Sequence, residues 1–250
     1  MSVENVAMSA AGALFGRRDV NAVDQWALPN YKQHSPLFAD GPDGLRELIA
    51  SLSDDFRYVP QRSFVDGDHV VLHGTYYGFR SEPQVAFDIL RVENEKLAEH
   101  WDGIVPERSN SNSGRSQVDG ETVVTDLDRT EDNRALVRDF VETVLVGKKF
   151  QAIDEYVSAE RYDEHNPAIG DGRENLRAAL VGRLGSTANY QQVRKVLAQG
   201  NFILVLSEGE VDDALTAFWD LFRVQGDRIV EHWDVTQQIP ADLPHDNGVF

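Results

Sequence analysis

The chain has 250 residues, enough for one large domain or two ordinary ones, and 41% of them are hydrophobic, as is usual for a soluble globular protein. Forty-two acidic against 24 basic residues give a net charge of -18, which repels phosphate backbones and anionic lipid and argues against nucleic-acid or membrane partners. There is no cysteine, so disulfides, thiolate metal sites and thiol nucleophiles are excluded.

The opening residues, MSVENVAMSAAGALFGRR, have no positive leader and only a short Ala/Gly-rich apolar stretch, so they do not read as a secretory signal. No apolar run reaches the length of a membrane span, and a cytoplasmic protein is expected. Val3, Val6 and Ala10 form a thin helical stripe, and Leu45, Leu48, Ile49 and Leu52 predict a stronger helix. Strands follow to about residue 105. Residues 106–129 begin as a Ser/Asn-rich loop and turn acidic, which predicts a linker between a first domain, 1–105, and a second, 130–250. Thr130 is placed to cap the first helix of the second domain, with Glu131 and Asp132 in its first turn. That helix carries the stripe Leu136, Val137, Phe140, Val141, Val144 and Leu145. A short second helix holds Phe150, Ile153 and Tyr156, and a third holds Leu176, Leu180 and Leu184. Four strands are expected at about 187–198, 201–211, 214–225 and 228–238. Helices followed by a run of strands indicate an α+β fold with an antiparallel sheet.

The two halves repeat each other. Tyr31, His34 and Pro36 return as Tyr162, His165 and Pro167, Asp40-Gly41 as Asp171-Gly172, and Leu45-Arg46 as Leu176-Arg177, all at a spacing of 131. After a one-residue slip, Asp88, Arg91 and Val92 match Asp220, Arg223 and Val224, and Glu99-His100-Trp101-Asp102 recurs unchanged as Glu231-His232-Trp233-Asp234. The period is too long for a solenoid, and each copy is large enough to hold its own core.

The last two strands of each copy form a predicted hairpin, with Gly226-Asp227 and Asn94-Glu95 at the turns. Regular alternation then sets Asp220 opposite Trp233 and Asp88 opposite Trp101. One face holds Asp220, Phe222, Glu231, Trp233 and Gln237 and is the more apolar, so it is assigned to the interior. The other holds Arg223, His232 and Asp234, with Arg91, His100 and Asp102 as counterparts, and reads as a surface charge cluster. An Asp on an apolar face must be hydrogen-bonded, protonated or used, and desolvation raises its pKa. A neutral carboxyl can donate to a developing oxyanion, whereas the plainer reading is an Asp satisfied by neighbouring N–H groups. His34 and His165 lie in polar segments where a general base could overhang a pocket, or where a histidine could simply fix a loop. No dinucleotide, phosphate-loop, HExxH or EF-hand pattern is present, and no metal or organic cofactor is expected.

This combination of Tyr-x-x-His-x-Pro, Asp-Gly, (Phe/Trp)-Asp-x-(Leu/Phe)-Arg-Val and Glu-His-Trp-Asp resembles the SnoaL-like branch of the nuclear-transport-factor-2-like superfamily. The resemblance implies three helices against a strongly curved antiparallel sheet enclosing an apolar pocket, and cofactor-independent acid/base chemistry such as aldol ring closure. Asp220 and Asp88 look like the oxyanion-side Asp of ketosteroid isomerases, with His165 near the place of their catalytic carboxylate. The key Asp of cyclases and epoxide hydrolases falls near Gln237, with Val105 in the first copy, and this is a departure from the family pattern.

The expectation is therefore an enzyme that transfers protons on a small hydrophobic carbonyl compound. His165 and His34 are its candidate bases, and Asp220 and Asp88 its oxyanion donors. Trp233, Trp101 and Phe222 would be walls, with Asn166 and Gln237 orienting the substrate. A non-catalytic module binding a small hydrophobic ligand, and an internal pseudo-dimer with filled pockets, are the alternatives. The copies are expected to pair as that pseudo-dimer, with homo-oligomers also open.

Overall fold

The computed structural model describes residues 1–183 and 187–250. It divides into two compact units, Met1–Glu107 together with Pro240–Phe250, and Arg108–Ile239. The segment expected as a linker thus falls almost wholly within unit 2, and the tail expected to close the second domain belongs to unit 1.

Unit 1 runs α1 (Val3–Ala11), α2 (Val23–Trp26), β1 (Ala27–Gln33), α3 (Gly41–Ser51), β2 (Arg57–Asp66), β3 (His69–Tyr77), β4 (Gln84–Glu93) and β5 (Lys96–Pro106). Unit 2 repeats this as α4 (Thr130–Phe140), α5 (Ile153–Tyr156), β6 (Asp163–Glu164), α6 (Arg173–Arg183), β7 (Ala188–Gln199), β8 (Phe202–Val211), β9 (Ala214–Gln225) and β10 (Arg228–Gln238). Leu184, placed by the sequence on the third helix, lies outside the described residues. The strand orders are the same, β1-β5-β4-β3-β2 and β6-β10-β9-β8-β7. The sheets are mixed rather than wholly antiparallel, because β1 and β6 each arrive from a helix and join β5 and β10 in parallel.

The repeated motifs hold these elements together. Asp40 Oδ1 accepts from the Gln33 backbone N–H at 2.8 Å, and Asp171 Oδ1 from Glu164 at 2.9 Å, so each Asp pins the first strand to the start of the next helix. Arg46 reaches Asp24 at 2.5 Å, and Arg177 reaches Asp154 at 2.6 Å, tying the third helix to the second. One core gathers Val6, Leu14, Val23, Ile49, Val70 and Leu97 under the sheet of unit 1. Its counterpart in unit 2 is more aromatic, with Phe140, Tyr162, Phe218 and Phe222.

Both hairpins turn where expected. Asn94, Glu95, Gly226 and Asp227 all have positive φ, the conformation that a two-residue turn of this kind requires. Beyond the turn, however, the ladder slips between Arg91 and Val92 in unit 1 and between Ile229 and Glu231 in unit 2. Each slip is a one-residue bulge, and it exchanges the faces of everything beyond it.

Candidate active site

Because of the bulges, Asp88 faces Asp102, not Trp101, and Asp220 faces Asp234, not Trp233. His100 and Asp102 therefore join Asp88 on the floor of a cavity in unit 1, and His232 and Asp234 join Asp220 in unit 2. His100 and His232, read from the sequence as surface groups, are buried and line the pockets.

The unit 1 cavity has a volume of about 220 Å³. Its walls are apolar and largely aromatic, with Phe15, Phe38, Phe56, Tyr58, Tyr76 and Phe79. On the floor, Asp88 Oδ1 accepts from Tyr76 O–H at 2.9 Å and pairs with His100 Nε2 at 3.1 Å. The other imidazole nitrogen meets Gln33 Oε1 at 3.0 Å. Asp88 Oδ2, Asp102 Oδ1 and the Tyr58 hydroxyl are buried with no hydrogen-bond partner among the described residues. Burial pushes Asp102 up to about 6, Asp88 adding to the rise while His100 and a hydrogen bond from Ser35 oppose it. Burial pulls His100 down, but its hydrogen bond to Asp88 and the charges of Asp102 and Asp88 outweigh this, so the imidazole is held above its ordinary value. Burial and Asp88 keep Tyr58 and Tyr76 well above the phenol range, so both are hydroxyl donors at neutral pH.

Unit 2 has the same floor in a closed setting. Its cavity is about 50 Å³, with Phe140, Phe218 and Phe222 filling space. Tyr190 O–H lies 3.2 Å from both oxygens of Asp220, and Asn166 Nδ2 donates to Asp234 Oδ2 at 2.6 Å. His232 bridges Asp220 at 3.1 Å and Glu164 at 2.9 Å. Burial opposes its charge, but Glu164 and Asp220 more than compensate and hold it well above the free value. Burial likewise raises Asp234 to about 6.

The expected site residues divide accordingly. Asp88, Asp220, Phe222 and Asn166 line the pockets. His34, His165, Trp101, Trp233 and Gln237 do not, because the bulges turn Glu99, Trp101, Glu231, Trp233 and Gln237 to the opposite side of each sheet. There His34 stacks on Trp101 at 4.3 Å and pairs with Glu99 at 2.9 Å. His165 stacks on Trp233 at 4.6 Å and pairs with Glu231 at 3.0 Å. Arg91 and Arg223 complete these outer clusters. The second nitrogen of each histidine holds a strap: His34 Nδ1 lies 3.0 Å from Gly248 O, and His165 Nδ1 lies 2.7 Å from Ser116 O. Neither histidine lines a pocket, and each ties a strap to its unit.

His100, Asp102, Tyr58, Tyr76, Gln33 and their unit 2 counterparts were not among the candidates. The signal for two of them was the unchanged Glu-His-Trp-Asp repeat, which places an ionisable pair on each face. Asp88, His100 and Asp102 also offer ligand atoms within 4.8 Å of one another, a set that could hold a cation, although both nitrogens of His100 are already engaged.

Residues 10–100 match the SnoaL-like domain family. No curated protein matches the chain. Among solved structures, TsrD from Streptomyces laurentii is 24% identical, with 41% of this chain and 87% of that one covered at a TM-score of 0.35. An LEH-like epoxide hydrolase of M. tuberculosis is 17% identical over 44% and 85% at 0.36. An NTF2-like protein from Burkholderia xenovorans is 15% identical over 43% and 91% at 0.35. The strand order of unit 1 recurs in unit 2 with the same motif residues at matching positions. Residues 10–100 are accordingly a SnoaL-like domain, and unit 2 repeats the strand order and motifs of that unit.

Proposed function

We propose that unit 1 is a cofactor-independent acid/base enzyme site for a small hydrophobic carbonyl compound, and that unit 2 is its closed, structural copy. One observation carries the reading: an apolar cavity of about 220 Å³ is lined by Asp88, Asp102 and Tyr58, which have two buried carboxylate oxygens and a phenol hydroxyl without a partner among the described residues. A cavity of roughly 150 Å³ already admits benzene, so this one holds a small ring compound. Asp102, with its pKa raised to about 6, is ionised and only weakly hydrated at neutral pH, which suits a general base. Its Oδ1 takes a proton from the carbon next to the carbonyl. The electron pair moves onto the carbonyl oxygen, which receives a hydrogen bond from Tyr58 O–H. Return of the proton to the same carbon gives exchange, and return to a conjugated carbon gives isomerisation. The His100–Asp88 pair fixes the charge of the floor.

The test needs no knowledge of the natural substrate. Cyclic ketones from cyclohexanone to 1-indanone are incubated with the protein in D2O, and deuterium next to the carbonyl is followed by NMR, with and without EDTA. Catalysed exchange that persists in EDTA, rises with pH through about 6 and is lost in Asp102→Asn is expected. Saturable ketone binding without exchange would replace this reading with that of a hydrophobic-ligand binding module.

A further inference from the structure

The hydrogen-bonding capacity left open in unit 1 is unbalanced. Asp88 Oδ2 and Asp102 Oδ1 can only accept when ionised, and Asp88 and Asp102 are 3% and 4% exposed. A carbonyl ligand satisfies the Tyr58 hydroxyl but gives neither carboxylate a donor. The charges point the same way. Two carboxyl groups against one imidazole give the floor an acidic excess inside an apolar cavity. Aromatic rings line the remaining walls, and ring faces attract cations.

We propose that the unit 1 pocket recognises a hydrophobic amine, with its ammonium between Asp88 Oδ2 and Asp102 Oδ1 and its ring body against Phe38, Phe56, Tyr58, Tyr76 and Phe79. The assignment uses the same cavity as the proton-transfer reading but does not depend on turnover. An ammonium on a ring-bearing carbon supplies up to three donors, enough for both open oxygens. In unit 2 Tyr190 takes the matching oxygen of Asp220, Asn166 donates to Asp234 Oδ2, and the cavity is too small for a ring compound. Recognition is therefore confined to unit 1.

The site is pH-sensitive with a definite sign. The titratable groups facing Asp102 are His100 on its own strand, Asp88 on β4, Tyr76 on β3, Tyr58 on β2 and Tyr31 on β1. The helical side presents only apolar residues such as Met8, Ala11, Leu48 and Leu52. The tyrosines stay neutral, and protonation of Asp102 or of His100, whose imidazole is held above its ordinary value, acts in the same direction, against a cation. With its pKa at about 6, Asp102 is mostly ionised at pH 7 and mostly protonated at pH 5, and amine affinity should fall by about tenfold between the two.

The experiment is calorimetric titration of the full chain with 1-aminoindane, 1-indanone and indane, which share one ring body. At pH 7.5, 1-aminoindane is expected to bind at least tenfold tighter than either neutral compound. Asp102→Asn should remove that preference, Asp88→Asn should weaken it, and Asp234→Asn should leave it unchanged. Thermal melts establish which variants fold, and the wild-type pH series gives an answer without any variant. Equal affinity for amine and ketone, or a preference that ignores pH between 5 and 7, overturns the proposal, as does no binding of the amine at all. Ketone exchange without amine preference removes this inference and leaves the proton-transfer reading intact. Amine preference without exchange does the reverse.

Discussion

The two units have the same polar floor, yet only one presents it to a cavity large enough for a ring compound, and the difference comes from neighbouring residues. In unit 1, Tyr76 reaches one oxygen of Asp88 and leaves the other open. The residue at that ladder position in unit 2 is Gly209, opposite Tyr190 as Tyr76 is opposite Tyr58. A side chain there would meet Asn189 O at 2.1 Å and the ring of Phe218 at 2.9 Å. Phe218 stands where unit 1 has Ala86, and Phe222 where it has Leu90. The Phe218 ring stacks on Tyr190 at 3.9 Å, and the Tyr190 hydroxyl closes both oxygens of Asp220. Gln33 becomes Glu164, so His232 is clamped between two carboxylates where His100 has one. Pocket or core is thus decided by the size of a few strand residues around an unchanged acid/base set.

The largest effect should separate the units by activity. Asp102→Asn removes the free base and should lower ketone exchange by about 10²–10⁴-fold, the usual range for a general base. Asp234→Asn changes the equivalent residue in unit 2 and should leave exchange near the wild-type rate. Equal losses from both substitutions would mean that the units share the work and that unit 2 is not a closed copy.

A second substitution asks whether unit 2 is closed by Phe218. Phe218→Ala restores the unit 1 residue but leaves Gly209 unfilled, and should cost unit 2 about 3–5 kcal/mol in urea unfolding. It should also free the Tyr190 ring and open space above Asp220. Binding of 1-indanone to an Asp102→Asn/Phe218→Ala double variant, absent in Asp102→Asn/Asp234→Asn, would show that one aromatic ring is the main barrier. A folded variant that gains no cavity would shift the weight to Phe140 and Phe222.

The third prediction concerns pH and stability. Asp102 has a free value of 3.8 and a folded value of about 6, so the folded protein binds this proton more tightly. Its contribution is full below about pH 4 and is lost as pH rises through 6, at most about 3 kcal/mol in all. Asp102→Asn should therefore protect the β4–β5 amides against hydrogen exchange at pH 8, relative to wild type, and give no gain at pH 4. The same substitution at Asp234 should act on β9–β10, because that carboxyl is raised to the same value. A gain at pH 4 would show that the free carboxyl is not the source of strain.

Much of this architecture was legible in the sequence, and the limits are physical. Repeated motifs gave the duplication, and φ-permissive residues at 94–95 and 226–227 gave the hairpin turns. The inward placement of Asp88 and Asp220 followed from their apolar neighbours. The partners of these Asp residues did not follow, because one extra residue at Ala98 or Val230 inverts each strand beyond it. Both are small or apolar and buried, so hydropathy fits either register. Charged residues on both faces removed the remaining clue. The tails were equally hidden: Gly248 meets His34, and Ser116 meets His165, across sequence separations that no local pattern reports. The difference in volume between the cavities depends on residues such as Ala86 and Phe218, which read alike as strand core.

The smallest expected effect tests the two straps. Each passes the outer His–Trp stack at a glycine of positive φ, Gly248 at 74° and Gly120 at 94°. An L side chain in that backbone region costs roughly 1–2 kcal/mol, so both Gly→Ala substitutions should loosen their straps. The surroundings then differ. A Cβ on Gly248 would have nothing within 4 Å, whereas one on Gly120 would lie 2.2 Å from Glu231 Oε1 and 2.9 Å from the Trp233 ring. Glu231 cannot retreat freely, because it is 1% exposed and held by His165 and Arg223. Gly120→Ala should therefore destabilise more than Gly248→Ala and should raise hydrogen exchange in unit 2. Gly248→Ala should act on unit 1, through the carbonyl that holds His34, and lower ketone exchange only slightly. Comparable losses from the two variants would show that backbone conformation alone governs the straps, and that the packing of Gly120 against Glu231 adds nothing.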